Sequence, residues 1–148
     1  RTRTGIKIVD ETVPETTDVN LPGPPVSAGL LERLAAQLQE LAVEGRWFVL
    51  SGSLPPGLPE DGYAVLTRCI HDAGGRVALD TSGEALRRGV AAGPDLIKPN
   101  TRELGMLCGS EPAGIGAIVD AARAVLDRGV STVVVSYIRW PMPGPRWA

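Results

Sequence analysis

The sequence has no run of about 18 apolar residues, so it contains no candidate membrane-spanning helix. It has no basic start followed by an apolar stretch, so none of these residues reads as a secretory leader. Cysteine is scarce. Cys69 and Cys108 are the only two, and both fall in helical patterns. That excludes a disulfide framework; two helical thiols read as small buried hydrophobes of a reducing compartment. An excess of one charge is also lacking, since 15 basic residues against 17 acidic ones leave a net charge of −2. Neither nucleic acid nor an anionic membrane is therefore an expected partner. No Gly-x-Gly-x-x-Gly opens a helix after the first strand, which argues against a dinucleotide-binding fingerprint. Internal repeats and low-complexity blocks are absent as well. The expected location is the cytoplasm. Position 1 is Arg, and Met106 and Met142 are the only methionines, so the chain is read as starting after processing or inside something longer.

What is present reads as one ordinary globular domain. At 148 residues, with 43% hydrophobic and 22% charged, the chain can bury roughly two-thirds of its unfolded surface. Ile6 and Ile8 alternate with polar residues, which predicts a half-exposed strand. A polar stretch, residues 10–18, follows, and Val19 and Leu21 predict a short return strand before Pro22-Gly-Pro-Pro25. Ser27 can cap a helix carrying Leu30, Leu34, Leu38 and Leu41. Trp47-Phe-Val-Leu50 has the apolar character of a buried parallel strand. A helix with Tyr63, Leu66 and Ile70 on one face follows, then strands at Val77-Ala-Leu79 and Asp95-Leu-Ile97. Further helices carry Leu104 and Leu107, and then Ile115, Ile118, Val119, Ala122 and Leu126. Val133-Val-Val135 is the last strand. Alternating strands and helices predict βαβ crossovers and a parallel sheet covered on both faces.

In such sheets, ligands gather outside the carboxyl ends of the strands. Three polar segments fall there: 51–57, 80–83 and 98–103. Each has two readings. Ser51-Gly-Ser-Leu-Pro-Pro-Gly57 can let backbone N–H groups and two hydroxyls approach a phosphate or sugar, or it is a plain turn. Asp80 can hold a metal-bound water or a sugar hydroxyl, or it is a turn residue before Glu84. Lys98 can neutralise nucleotide phosphates. Asn100 and Glu103, three apart, can organise Mg²⁺ and its waters, or form a capping box, which is the stronger reading of the residues alone. Arg1, Arg3 and Lys7 can bind a sugar phosphate or form a solvated strand face. His71 reads as a surface residue without a role.

The order of these pieces is more specific than any one of them. Arg3-x-x-Ile-Lys7, Asp18-x-Asn-x-Pro-Gly23, Ser51-Gly-Ser-Leu-Pro-Pro-Gly57, Asp80-Thr-Ser-Gly-Glu-Ala-Leu86 and Lys98-Pro-Asn-x-x-Glu-Leu104 resemble the carbohydrate kinase family of the ribokinase-like superfamily. Ribokinase, minor-type 6-phosphofructokinases, 1-phosphofructokinases and tagatose-6-phosphate kinases belong to it. The resemblance runs from residue 1 to about Ser136. It leans toward 1-phosphofructokinase or tagatose-6-phosphate kinase. Minor 6-phosphofructokinases carry an Arg before the Pro-Gly, where this chain has Asp18.

The resemblance implies a three-layer α/β ribokinase-like fold, here truncated, with a mostly parallel sheet and part of a β-strand lid. It implies ATP- and Mg²⁺-dependent phosphorylation of a sugar phosphate, most simply fructose 1-phosphate to fructose 1,6-bisphosphate; tagatose 6-phosphate and fructose 6-phosphate are the alternatives. Arg3 would contact the substrate phosphate and Ser53 the sugar phosphate. Lys98 would meet ATP phosphates, and Asn100 and Glu103 would organise Mg²⁺. The lid would join a homodimer in the full-length protein, although Gly5 stands where the family has Asn.

The family's Gly-Gly-Lys-Gly-x-Asn segment and its Gly-x-Gly-Asp segment, which holds the general base, have no counterpart among these residues. The expectation is therefore a piece of a longer enzyme that is inactive alone, or a silent remnant that at most binds nucleotide or a partner. Its expected parts are lid (1–24), core (25–136) and an irregular Pro- and Trp-rich tail (137–148) that resembles out-of-frame coding.

Overall fold

A computed structural model describes residues 4–10, 15–27 and 29–137. Arg1, Arg3 and the tail after Tyr137 lie outside the described residues. The first element is an antiparallel hairpin of β1 (Gly5–Asp10) and β2 (Glu15–Asn20), with Ile6 opposite Val19 and Ile8 opposite Thr17. The return strand is longer than its apolar residues predict. Thr16 and Thr17 are β-branched and pair across with Val9 and Ile8, so the ladder extends into the polar stretch.

The second sheet is parallel, in the order β3 (Trp47–Ser51), β4 (Arg76–Asp80), β5 (Leu96–Ile97) and β6 (Thr132–Val133). Its helices are α1 (Gly29–Leu41), α2 (Gly62–Asp72), α3 (Gly83–Val90), α4 (Thr101–Cys108) and α5 (Gly114–Leu126). Each strand lies beside the next in sequence. Right-handed crossovers between consecutive neighbours put every connecting helix on the same side. Burial agrees: Leu50, Val77, Leu79 and Ile97 share one core with Leu31 of α1, Ile70 of α2, Leu86 of α3, Leu104 of α4 and Val125 of α5. The expected parallel α/β sheet is there, and of its two helical layers the described residues supply one. The other face carries Trp47, Val49, Ala78 and Leu96, and Val49 is 72% exposed.

Two helical stripes differ from those the leucines and isoleucines predict. In α1 the buried residues are Leu31 and Ala35, with Leu38 partly buried, while Leu34 and Leu41 are exposed. In α5 Ile118 and Val125 are buried, and Ile115, Val119 and Leu126 are exposed. Both helices are apolar on more than one side, so periodicity alone could not choose the face turned to the sheet. The α2 stripe is as predicted, with Tyr63, Leu66 and Ile70 buried. Cys69 and Cys108 are free thiols packed half-buried against the core. Among the described residues no helix is long and apolar enough to cross a membrane.

His71 is not a bare surface residue. It sits in the last turn of α2, half-buried, with Nε2 2.9 Å from Asp95 Oδ2. The same carboxylate oxygen accepts the Val77 backbone N–H at 2.8 Å. Partial burial pushes the Asp95 carboxyl up. The Val77 N–H and His71 outweigh that and hold it below its ordinary value.

Candidate active site

The carboxyl ends of β3 and β4 lie side by side because Ser51 pairs with Asp80. The chain leaves β3 through Gly52, whose φ of 91° lies in the left-handed region open to glycine. The Gly52 N–H donates to the Asp80 carbonyl at 2.9 Å. The Gly52 carbonyl accepts from Thr81 Oγ1 at 2.7 Å and from the Tyr63 hydroxyl at 3.0 Å; that hydroxyl also lies 3.1 Å from the Ser51 carbonyl. Burial pushes the Tyr63 phenol above its usual pKa, so its proton stays in place at neutral pH. The far end of the turn is tied to the stretch after the hairpin, where Val26 N–H donates to the Pro56 carbonyl at 2.9 Å. Gly57, at φ 95°, is required there, because a Cβ would collide with the Val26 carbonyl.

Two clefts open on this turn. One, of about 570 Å³, is lined by Asn20, Pro22, Gly23, Val26 and residues 53–56. The other, of about 410 Å³, is lined by residues 51–53, Asp80, Thr81, Ser82 and Glu103. Ser53 lines both. Lys98, just past β5, reaches the second cleft through an ion pair with Asp80, Nζ to Oδ2 at 3.4 Å. Both side chains are more than two-fifths exposed, at 47% and 42%, so water screens the pair and Lys98 can exchange partners at little cost.

Asn100 and Glu103 form a full capping box at the start of α4. Asn100 Oδ1 accepts the Glu103 N–H at 2.8 Å, and Glu103 Oε2 accepts the Asn100 N–H at 2.9 Å. The capping reading of this motif is therefore realised, and it leaves room for a second role. A carboxylate has about four acceptor positions, and the cap uses one. Asp80 and Glu103 thus offer oxygen donors to one cleft, with a Lys ammonium at its edge. Such a set suits Mg²⁺ held mainly by water and phosphate, because that ion keeps most of its waters and takes few protein ligands. Among the described residues no cluster of three or more His, Cys, Asp or Glu could cage a metal.

Of the residues singled out in the sequence, Ser53 and Glu103 meet at the second cleft, and Lys98 joins through Asp80. Asn100 adjoins it through the cap. Arg3 lies outside the described residues, and Lys7 lies in the hairpin, opposite Asp18 in register. Tyr63 and Thr81 also border the turn and carry no sequence signal of it. Tyr63 reads as a core residue of a helical stripe, and no local pattern announces that its hydroxyl reaches back across 11 residues.

A parallel sheet with clefts at its carboxyl edge, Gly-marked turns, an ammonium and two carboxylates defines an α/β protein with its candidate ligand site at the strand ends. The pattern of the pfkB family carbohydrate kinases matches residues 1–137, and the chain belongs to that family. It is 44% identical over 136 residues to a 1-phosphofructokinase of Rhodobacter capsulatus, covering 91% of this chain and 43% of that protein. It is also 44% identical, over 139 residues, to a 1-phosphofructokinase of Xanthomonas campestris, covering 91% of this chain and 44% of that one. Among solved structures, phosphofructokinase-2 of Escherichia coli in complex with potassium superposes with a TM-score of 0.81 at 32% identity, over 91% of this chain and 44% of that one. The chain thus spans less than half the length of these relatives.

Proposed function

We propose that this chain supplies the cleft of a sugar-phosphate kinase, with fructose 1-phosphate as acceptor and MgATP as donor, and that it acts as part of a longer polypeptide. The observation that carries the reading is Ser53 standing between two clefts, with the hairpin base on one side and Asp80 and Glu103 on the other. The 1-phosphofructokinase relatives support the choice of acceptor. Tagatose 6-phosphate and fructose 6-phosphate are the alternative acceptors.

Bound MgATP would supply the phosphoryl group and the charge that draws the site together. The work of this chain's residues would be positioning and charge neutralisation, which dominate phosphoryl transfer. Lys98 would leave Asp80 for the nucleotide phosphates. Asn100 and Glu103 would order the metal's water shell. Ser53 would donate to the sugar phosphate, and Arg3 would contact the substrate phosphate. None of the described residues is assigned as the general base. The hairpin also exposes Ile6, Ile8 and Val19, an apolar surface suited to a homodimer through the lid.

The test is an ADP-release assay on the 148-residue chain with ATP, Mg²⁺ and each of the three sugar phosphates, beside calorimetric titration of each ligand. Binding without turnover is expected. Turnover would mean that a base exists among these residues and would overturn the assignment. The uncovered sheet face favours a second reading, a silent remnant that at most binds nucleotide or a partner; failure of every sugar phosphate to bind, with or without MgATP, would favour it.

A further inference from the structure

We infer that Tyr63 and Thr81 are positioning residues for the Ser53 turn: their hydroxyls clamp the Gly52 carbonyl and so fix where Ser53 meets a phosphorylated sugar. The inference rests on the proposed sugar-phosphate role of that turn. A carbonyl oxygen has two lone pairs; that of Gly52 accepts Thr81 Oγ1 at 2.7 Å and has Tyr63 Oη at 3.0 Å, whose one proton is shared with the Ser51 carbonyl at 3.1 Å. Its N–H is given to Asp80. Both backbone polar groups of Gly52 thus have partners in neighbouring elements, while Ser51 and Ser53 on either side of it line the cleft.

The clamp answers a physical need. A glycine at φ 91° reaches that conformation without strain, and it leaves just as readily, since it has the widest choice of backbone states. A turn built on it keeps one shape only if something outside holds it. Both anchors are themselves held. Tyr63 and Thr81 are each 7% exposed, and the Tyr63 ring belongs to the buried core between α2 and the sheet. Order passes from the core through two hydroxyls to one carbonyl, and from there to the next residue, Ser53. A contact that fails by 1 Å loses much of its value in positioning a reacting group, so the clamp matters more for ligand than for fold.

Tyr63→Phe keeps the ring and deletes only the hydroxyl. Thr81→Val keeps the shape and deletes the other, and Thr81→Ser restores it. In the 148-residue chain, amide exchange at Gly52, whose N–H is bonded to the Asp80 carbonyl, is read beside exchange at Leu79 and Ile97, which follows global opening. Affinity for fructose 1-phosphate is read by titration. Tyr63→Phe and Thr81→Val are each expected to speed exchange at Gly52, and to weaken fructose 1-phosphate, by about two- to tenfold, the usual worth of one hydrogen bond. Thr81→Ser should return both toward the starting values. Loop exchange and affinity that stay unchanged in both deletion variants would overturn the clamp. So would core amides that speed up by the same factor as the loop, which would mark general destabilisation. If the unaltered chain binds no fructose 1-phosphate while the variants still loosen Gly52, the sugar-site reading fails and the clamp stands.

Discussion

Replacing Glu103 by Gln and by Ala separates its two jobs. Its carboxylate caps α4 through the Asn100 N–H at 2.9 Å and also lines the cleft beside Asp80. Gln can keep the hydrogen bond and loses only the charge at the helix start, a change of about 0.5 kcal/mol at an exposed position. Ala loses both bond and charge, about 1–1.5 kcal/mol together. For a domain of this size, 1 kcal/mol moves Tm by about 3–4 °C. Circular dichroism should therefore show a fall of about 2 °C for Glu103→Gln and about twice that for Glu103→Ala. Calorimetric titration with ATP, with and without Mg²⁺, reads the second job. Both variants should lose most of the Mg²⁺-dependent gain in ATP affinity, since an amide is a poor partner for the ion's waters. Wild-type affinity in the Gln variant would refute the metal role and leave Glu103 as a cap alone. Equal destabilisation by Gln and Ala would refute the partition of the cap energy.

Acid should weaken the fold through two carboxylates held below their ordinary values. Hydrogen bonds from Arg87 and then Arg88 lower Glu84 from 4.5 to about 2, and the Val77 N–H and His71 hold Asp95 down against its partial burial. A folded pKa below the unfolded one gives stability that is present above about 4.5 and lost as pH falls toward about 2. Glu84 is solvated, so its share is small. Urea unfolding from pH 7 to pH 2.5 should show the slope, and Glu84→Gln with Asp95→Asn should flatten it; an unchanged slope would refute the assignment. Val49→Lys, on the uncovered sheet face, should change unfolding free energy by less than about 0.5 kcal/mol and reduce self-association in sedimentation. A loss above about 2 kcal/mol would mean that this face is covered after all.

Much of the architecture was legible in the sequence. Trp47-Phe-Val-Leu50 and Val77-Ala-Leu79 announce parallel strands, and both are there, but of 47–50 only Leu50 is buried, since Trp47 and Val49 lie on the uncovered face. Pro and Gly mark the turns at 22–25 and 51–57 through the φ values they fix or permit. Asn100 and Glu103 announce a helix start because their spacing suits reciprocal capping, and the cap is there. Ser53, Lys98 and Glu103 could be picked out because they follow strand ends, and strand ends in a parallel sheet share one edge.

The tertiary structure decided the rest. Which side of α1 and α5 faces the sheet depends on the path of the chain, so Leu31 and Val125 are buried while Leu34 and Ile115 are not. That the helices connecting the parallel strands lie on one side follows from strand order, which no local pattern encodes. The pairings of Lys98 with Asp80, His71 with Asp95, and Tyr63 and Thr81 with Gly52 join residues 11 to 29 apart in sequence. Residue type sets what a side chain can offer; only the packed sheet and helices bring it within the three ångströms or so at which a hydrogen bond forms.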